Sequence, residues 1–118
     1  MRLLLADDNE MNVELFSAAL DGYDLVIARD GSQALDRALA QKFDLILLDI
    51  QMPGLDGYDV CRALRAKGLK TPILALSASA MPTDVHKGHA AGFDAYLTKP
   101  ISPHDLLRAV RSHTRTAA

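Results

Sequence analysis

Residues 45–48 form a short, uninterrupted apolar run, Leu-Ile-Leu-Leu, which ends at the carboxylate of Asp49. An apolar run of this length predicts a strand that is buried on both faces, as the strands of parallel sheets are. The segment that follows contains Met-Pro-Gly at 52–54 and Asp-Gly at 56–57, which predict a loop. Because open α/β sheets bind ligands at the carboxyl ends of their strands, we expect Asp49 to lie at a binding site.

The same pattern recurs along the chain, in which apolar runs alternate with segments of helical periodicity. Strands are predicted at residues 3–6, 25–28, 45–48, 73–76 and 95–98, and helices at residues 10–20, 32–40, 58–66 and 82–92 and from Ser102 onward. Five strands that alternate with five helices predict a single α/β domain over residues 1–118. In such a doubly wound fold, helices cover both faces of a parallel sheet.

The predicted helices differ in the strength of their apolar faces. The residues expected to face the core are Met11, Leu15, Phe16, Ala19 and Leu20 in the first helix and Ala34, Leu35, Ala38 and Leu39 in the second. The fourth helix has a small apolar face and two glycines, Gly88 and Gly92. We therefore expect the fourth helix to pack weakly and to move most easily.

The composition narrows the classes of function. Of 118 residues, 49% are hydrophobic and 24% are charged, as in an ordinary globular domain, and the net charge of -2 argues against binding nucleic acid or acidic membranes through bulk charge. The single cysteine, Cys61, forms no internal disulfide, which fits a reducing compartment. No apolar stretch approaches the length of a membrane span. We expect a cytoplasmic protein.

Polar side chains that end four of the predicted strands are expected to meet at one edge of the sheet. They are Asp7 and Asp8 after the first strand, Asp49 after the third, Ser77 after the fourth and Lys99 after the fifth. Three carboxylates so close together repel one another, and Lys99 offsets only one charge. Magnesium, or manganese in its place, fits a site of carboxylates, water and a backbone carbonyl near Gln51.

This set of residues suits phosphoryl transfer, in which catalysis depends on positioning and on neutralising charge. Asp49 can attack phosphorus and become an acyl phosphate, and a carboxylate nucleophile needs no general base. Ser77 and Lys99 can hold the phosphoryl oxygens. The sequence thus predicts a phosphoacceptor at Asp49.

With these motifs, the chain resembles the receiver domain of two-component response regulators over essentially its whole length. The matching motifs are Asp7-Asp8, Asp49, Met52-Pro53-Gly54, Asp56-Gly57, Ser77-Ala78 and Lys99-Pro100, in the family's order and spacing. The resemblance implies a flavodoxin-like fold with strand order 2-1-3-4-5. It implies that Asp49 is phosphorylated, that Asp8, Asp49 and the Gln51 carbonyl bind the metal directly, and that Asp7 holds metal-bound water.

The resemblance also implies how such a domain signals. Ser77 and Lys99 would contact the phosphoryl group, the Lys99–Pro100 bond would be cis, and Tyr96 would turn inward as Ser77 moves toward the phosphate. The fourth helix, fifth strand and fifth helix would form the output face. The implied partners are a histidine kinase or histidine phosphotransfer protein and a downstream protein target, without direct nucleic acid or membrane contact. The domain would be a monomer or a dimer formed on phosphorylation.

Several alternatives remain open from the sequence. A phosphohydrolase with an aspartyl nucleophile would carry an acid two residues after it, where this chain has Gln51, so we expect no activity beyond the domain's own phosphorylation and dephosphorylation. A pseudo-receiver that binds partners without phosphorylation would lack one of Asp8, Asp49 or Lys99. The segments Asn9–Asn12 and Lys99–Ser102 are similar to both single-domain cell-cycle regulators and receivers of hybrid histidine kinases. Met1 and the short tail favour a stand-alone protein over an excised domain.

Overall fold

The computed structural model describes residues 1–114, which form five strands alternating with five helices. The strands are β1 (Arg2–Ala6), β2 (Asp24–Ala28), β3 (Leu45–Asp49), β4 (Ile73–Ser77) and β5 (Ala95–Thr98). The helices are α1 (Glu10–Ala19), α2 (Gly31–Ala40), α3 (Gly57–Ala66), α4 (Pro82–Ala91) and α5 (Pro103–Thr114). The predicted elements are therefore all present, with bounds that differ by at most one residue.

The five strands form one parallel sheet in the order β2-β1-β3-β4-β5, as the resemblance implied. Side chains alternate between its two faces. The face covered by α1 and α5 contains Leu3, Leu5, Leu45, Leu47, Leu74 and Leu76, together with Phe16, Leu20, Leu106 and Val110. The other face packs against α2, α3 and α4. Residues 3–6 of β1, 45–48 of β3 and 73–76 of β4 are buried on both faces of the sheet, which accounts for their continuously apolar sequences.

Side-chain caps fix where the helices begin. Asn9, Asp30, Asp56 and Ser102 each precede a helix, and the side-chain oxygen of each accepts a hydrogen bond from the backbone N–H three residues later. These caps fix the first turns of α1, α2, α3 and α5, which are separated by two to seven residues from the strands that precede them.

The predicted inward faces of α1 and α2 were partly wrong. Met11 and Leu15 are 79% and 48% exposed, and Leu39 is 46% exposed. The buried stripe of α1 runs through Val13 and Phe16 to Leu20. Because α1 shares its face of the sheet with α5, only a narrow stripe of α1 is buried, and apolar residues beside that stripe remain in solvent.

Arg65, in the last turn of α3, joins three separate segments. Its guanidinium group donates to the carbonyls of Gly92, Leu69 and Thr71 at 3.0, 2.8 and 2.8 Å. It also contacts Asp94 at 2.9 Å, and the same carboxylate oxygen of Asp94 accepts from the backbone N–H of Ile73. The loops before β4 and β5 are therefore fixed to α3 by one side chain.

No helix within residues 1–114 combines the length and the apolar character needed to cross a membrane.

Candidate functional site

Three carboxylates lie together at the carboxyl edge of the sheet. One oxygen atom from each of Asp7, Asp8 and Asp49 lies within 4.8 Å of the other two. Asp7 and Asp49 are buried and Asp8 is exposed, so the cluster opens to solvent on the side of Asp8. The parallel pairing of β1 with the central strand β3 brings these residues together, as the sequence predicted from their positions after neighbouring strands.

The side chain of Lys99 reaches into this cluster from the end of β5. Its Nζ atom lies 3.1 Å from Oδ2 of Asp49 and 3.3 Å from Oδ2 of Asp7. One ammonium group therefore faces two buried carboxylates. The site keeps an excess of negative charge even before the exposed carboxylate of Asp8 is counted.

The backbone orients the two buried carboxylates toward Lys99. Oδ1 of Asp7 accepts from the N–H of Asn9 at 2.9 Å, and Oδ1 of Asp49 accepts from the N–H of Gln51 at 3.1 Å. In both residues the other oxygen, Oδ2, is the one that meets Lys99. The same turn geometry thus fixes each carboxylate by one oxygen and presents the second one to the site.

Asp49 is a weaker acid than an ordinary aspartate. The pKa of its carboxyl is raised to about 6, because burial and, to a smaller extent, the charge of Asp7 raise it more than Lys99 lowers it. A second cation at the site would lower this pKa and hold Asp49 ionised, which is the form that can act as a nucleophile.

Ser77, at the end of β4, has a hydroxyl group that is already oriented. Its Oγ accepts from the backbone N–H of Ser79 at 3.1 Å, so its own proton can be donated elsewhere. The carbonyl of Ser77 accepts from the N–H of Lys99 at 2.7 Å, which ties the two strand ends together. Ser77 is buried, whereas Gln51, the residue expected to supply a carbonyl ligand, is exposed beside Asp49.

The donor set fits a hard divalent cation. Carboxylate oxygens are the ligands that magnesium and manganese prefer, and three of them converge here with one residue open to water. No cysteine or histidine belongs to this cluster, so a softer metal is not favoured. Asp7, Asp8 and Asp49 would hold the ion.

Comparison with known proteins settles the family. The family model for the response regulator receiver domain matches residues 3–111. The chain belongs to the response regulator receiver family. As a receiver domain it is 41% identical over 116 residues to the alkaline phosphatase synthesis transcriptional regulatory protein PhoP of Bacillus subtilis, covering 97% of this chain and 48% of PhoP. It is 40% identical to the DNA-binding response regulator MtrA of Mycolicibacterium smegmatis, covering 97% of this chain and 50% of MtrA. This receiver thus spans about half the length of these curated relatives.

Solved receiver structures share its fold. The receiver domain of a Francisella response regulator matches with a TM-score of 0.91 and 32% identity, over 96% of this chain and 95% of that one. The receiver domain of a sensor histidine kinase from Pseudomonas aeruginosa PAO1 matches with a TM-score of 0.88 and 37% identity, over 96% of each chain. That structure is described with a magnesium ion coordinated in the active site cleft.

Two further features expected from the receiver family concern β5 and the residues that follow it. The Lys99–Pro100 peptide bond is cis. Tyr96, in the middle of β5, is partly buried, and its hydroxyl donates to the carbonyl of Ser79 at 3.0 Å. The tyrosine is therefore connected to the loop that follows Ser77.

Two residues near this receiver's site were missed by the sequence reasoning. Tyr58, the second residue of α3, places its hydroxyl 3.1 Å from the hydroxyl of Tyr96. Asp84, in the first turn of α4, accepts from the hydroxyl of Ser79 at 2.6 Å. The helical spacing of Tyr58 to buried Cys61 could have shown that Tyr58 faces inward, but nothing in the sequence indicated which residues it would meet.

Proposed function

We propose that this receiver domain is a phosphoacceptor switch of a two-component phosphorelay. It takes a phosphoryl group on Asp49 from a phosphohistidine of a histidine kinase or phosphotransfer protein. Phosphorylation then alters the surface formed by α4, β5 and α5 and so changes the binding of a downstream protein. Chemistry on other substrates is not part of this proposal.

The single observation that carries the proposal is the pairing of Lys99 Nζ with two buried carboxylates, one of them Asp49. If Lys99 only formed an ion pair that stabilised the fold, one carboxylate partner would be enough. Two buried carboxylates and a third exposed one leave uncompensated negative charge, which is costly unless a cation is bound. A receiver that had lost the ability to be phosphorylated would not need to keep this arrangement.

The chain's own residues account for each part of the reaction. An oxygen of Asp49 forms a bond to phosphorus while the bond from phosphorus to the donor's histidine nitrogen breaks, and the electron pair leaves with the imidazole. Lys99 and the hydroxyl of Ser77 then stabilise the phosphoryl oxygens. Magnesium, held by Asp7, Asp8 and Asp49 with the Gln51 carbonyl, would supply the remaining positive charge.

The proposal is tested by the mass of the intact protein after incubation with magnesium and acetyl phosphate. We expect one added phosphoryl group in the wild type and none in Asp49→Asn or in the presence of a chelator. Asp36→Asn, which removes an exposed carboxylate on α2, is the matched control and should be phosphorylated normally.

A negative result would be followed with beryllofluoride, which occupies the same position without hydrolysis. Spectral changes at Ser77 and Tyr96 would then indicate a rapidly lost phosphoryl group. If neither reagent has an effect, the phosphoacceptor proposal is wrong and the domain is a phosphorylation-independent binding module. Transfer from a histidine kinase would be measured separately, since the chain does not identify its partner.

A further inference from the structure

Two tyrosine hydroxyls and two backbone carbonyls meet between α3, α4 and β5. The hydroxyl of Tyr58 lies 3.2 Å from the carbonyl of Asp84, and the hydroxyl of Tyr96 lies 3.0 Å from the carbonyl of Ser79. The two hydroxyls are 3.1 Å apart. All three distances are within hydrogen-bonding range.

The protons do not suffice for all three contacts. Each phenol has one proton to donate, so the pair has two protons for three contacts. In one arrangement Tyr96 donates to Ser79 and Tyr58 donates to Tyr96. In the other, Tyr58 donates to Asp84 and Tyr96 donates to Tyr58. The same side-chain positions therefore permit two hydrogen-bond patterns in which the hydroxyls bond to each other, and these differ in whether the carbonyl of Ser79 or that of Asp84 accepts a hydrogen bond. In a third pattern each hydroxyl donates to its own carbonyl and the hydroxyls do not bond to each other.

The Ser79 carbonyl belongs to the loop that connects the phosphoacceptor site to α4, and the Asp84 carbonyl belongs to the first turn of α4. The N–H of Ser79 donates to Oγ of Ser77 at 3.1 Å, and its hydroxyl donates to the carboxylate of Asp84 at 2.6 Å. The carboxylate of Asp84 also accepts from the N–H of Met81 at 3.2 Å, at the start of α4. A displacement of Ser77 therefore acts directly on the carbonyl that Tyr96 contacts.

Tyr58 is held firmly enough to act on its partner. It is buried, its ring packs edge-on against Phe93 with 6.2 Å between ring centroids, and Lys87 Nζ lies 4.4 Å from the centre of the ring. Burial raises the pKa of its phenol, and the hydrogen bond with Tyr96 raises it further, so the hydroxyl stays protonated and able to donate.

We infer that Tyr58 is a positioning residue of the switch, whose hydroxyl exchanges between Tyr96 and the Asp84 carbonyl and so couples Tyr96 to the first turn of α4. The inference rests on the proposed function. When Ser77 moves toward a phosphoryl group, it shifts the Ser79 carbonyl. Tyr96 then changes its acceptor between that carbonyl and the hydroxyl of Tyr58. Tyr58 in turn changes its acceptor between the hydroxyl of Tyr96 and the Asp84 carbonyl. Helix α4 thereby gains or loses a hydrogen bond to α3.

The test uses the full chain labelled with 3-fluorotyrosine and observed by fluorine NMR. The three resonances, from Tyr23, Tyr58 and Tyr96, are assigned with the three tyrosine-to-phenylalanine variants. Tyr58→Phe keeps the ring and its packing and removes only the hydroxyl, so the variant is expected to fold. Tyr23→Phe is the matched control, because Tyr23 packs on the opposite face of the sheet.

Before any phosphoryl analogue is added, Tyr58→Phe should shift the Tyr96 resonance and Tyr23→Phe should not. With magnesium and beryllofluoride, we expect the wild-type Tyr96 resonance to move, and the movement to fall at least twofold in Tyr58→Phe. Amide hydrogen exchange in the first turn of α4 should be at least fivefold faster in this variant than in Tyr23→Phe. A purely structural role would lower global stability but leave the beryllofluoride-induced shift intact.

The outcomes separate the two proposals. If the wild type responds to beryllofluoride and Tyr58→Phe responds equally, the inference is overturned and the proposed function stands. If the wild type fails to respond and Asp49 is not phosphorylated, the proposed function fails and the inference fails with it. An unchanged Tyr96 resonance in unphosphorylated Tyr58→Phe overturns the coupling directly.

Discussion

Gly88 faces the ring of Tyr96 so closely that a β-carbon at position 88 would lie 2.7 Å from Cδ2 of the ring and 3.1 Å from Cε2. Real β-carbons essentially never lie that close to a non-bonded atom, so the absence of a side chain at this point of α4 permits the observed position of the tyrosine. Gly88 is a buried residue of α4. From the sequence, this glycine is expected to weaken the packing of α4, but it is the residue that lets β5 approach the helix.

Gly88→Ala should displace Tyr96 or lift α4 and lower the free energy of unfolding by about 1–2 kcal/mol. In a Tyr96→Ala background the same change should become stabilising by up to about 1 kcal/mol, because alanine is the better helix former and the obstacle has gone. Urea unfolding of the wild type, the two single variants and the double variant gives the effect of Gly88→Ala on the free energy of unfolding in each background. Destabilisation of equal size in both backgrounds would mean that the ring of Tyr96 is not what Gly88 accommodates.

Replacing Lys99 by methionine should destabilise the domain in the absence of divalent cations. The change leaves Asp7 and Asp49 buried without the ammonium group that both contact, at a cost of roughly 2–4 kcal/mol. Saturating magnesium should restore part of that loss, because a bound cation offsets the same charges. Urea unfolding with magnesium and with chelator measures both effects, and Lys70→Met, at an exposed lysine, should match the wild type in both conditions.

Asp49 should make the metal-free domain less stable as the pH rises from about 4 to about 6. The pKa of its carboxyl is about 6 in the folded protein against an ordinary value of 3.8, so between these values the folded state binds more protons than the unfolded state. Asp49→Asn removes the ionisable carboxyl and with it this loss of stability. The variant should match the wild type near pH 4 and exceed it by roughly 1–3 kcal/mol at pH 7 with chelator present. A stability difference that does not change with pH would contradict the raised pKa.

Arg65→Ala should cost about 2–3 kcal/mol, because three backbone carbonyls and Asp94 lose their donor together. Arg62→Ala, one turn earlier on α3, removes only an exposed pair with Asp59 and should cost no more than about 0.5 kcal/mol. Thermal or urea unfolding compares the two variants. Equal losses would show that the contacts of Arg65 add nothing beyond those of a surface arginine.

Much of the fold and of the carboxylate cluster could be predicted because parallel topology gathers strand ends at one edge. Apolar runs located the strands, so Asp49 and Lys99 could be placed together without knowing any distance. The buried side of α1 could not be read in the same way. Met11 and Phe16 are equally apolar in sequence, and only the neighbouring helix α5 determines which of them is covered.

The contacts of Tyr58 lay beyond sequence reasoning for a different reason. They depend on the distance between α3 and β5 and on the path of the loop after Ser77. Both are consequences of packing, including the close approach that Gly88 permits. No local pattern of residues encodes such a distance.

The hydrogen bond between Lys99 and Asp7 joins residues 92 positions apart. Because β1 must lie beside β3 and β5 beside β4 before these side chains can meet, the site is among the last features that a folding chain can complete. A nascent chain that has formed its first three strands already displays Asp49 but lacks the ammonium group that accompanies it. Competence to accept a phosphoryl group would therefore arise only in a finished molecule, which protects the signal from being carried by incomplete ones.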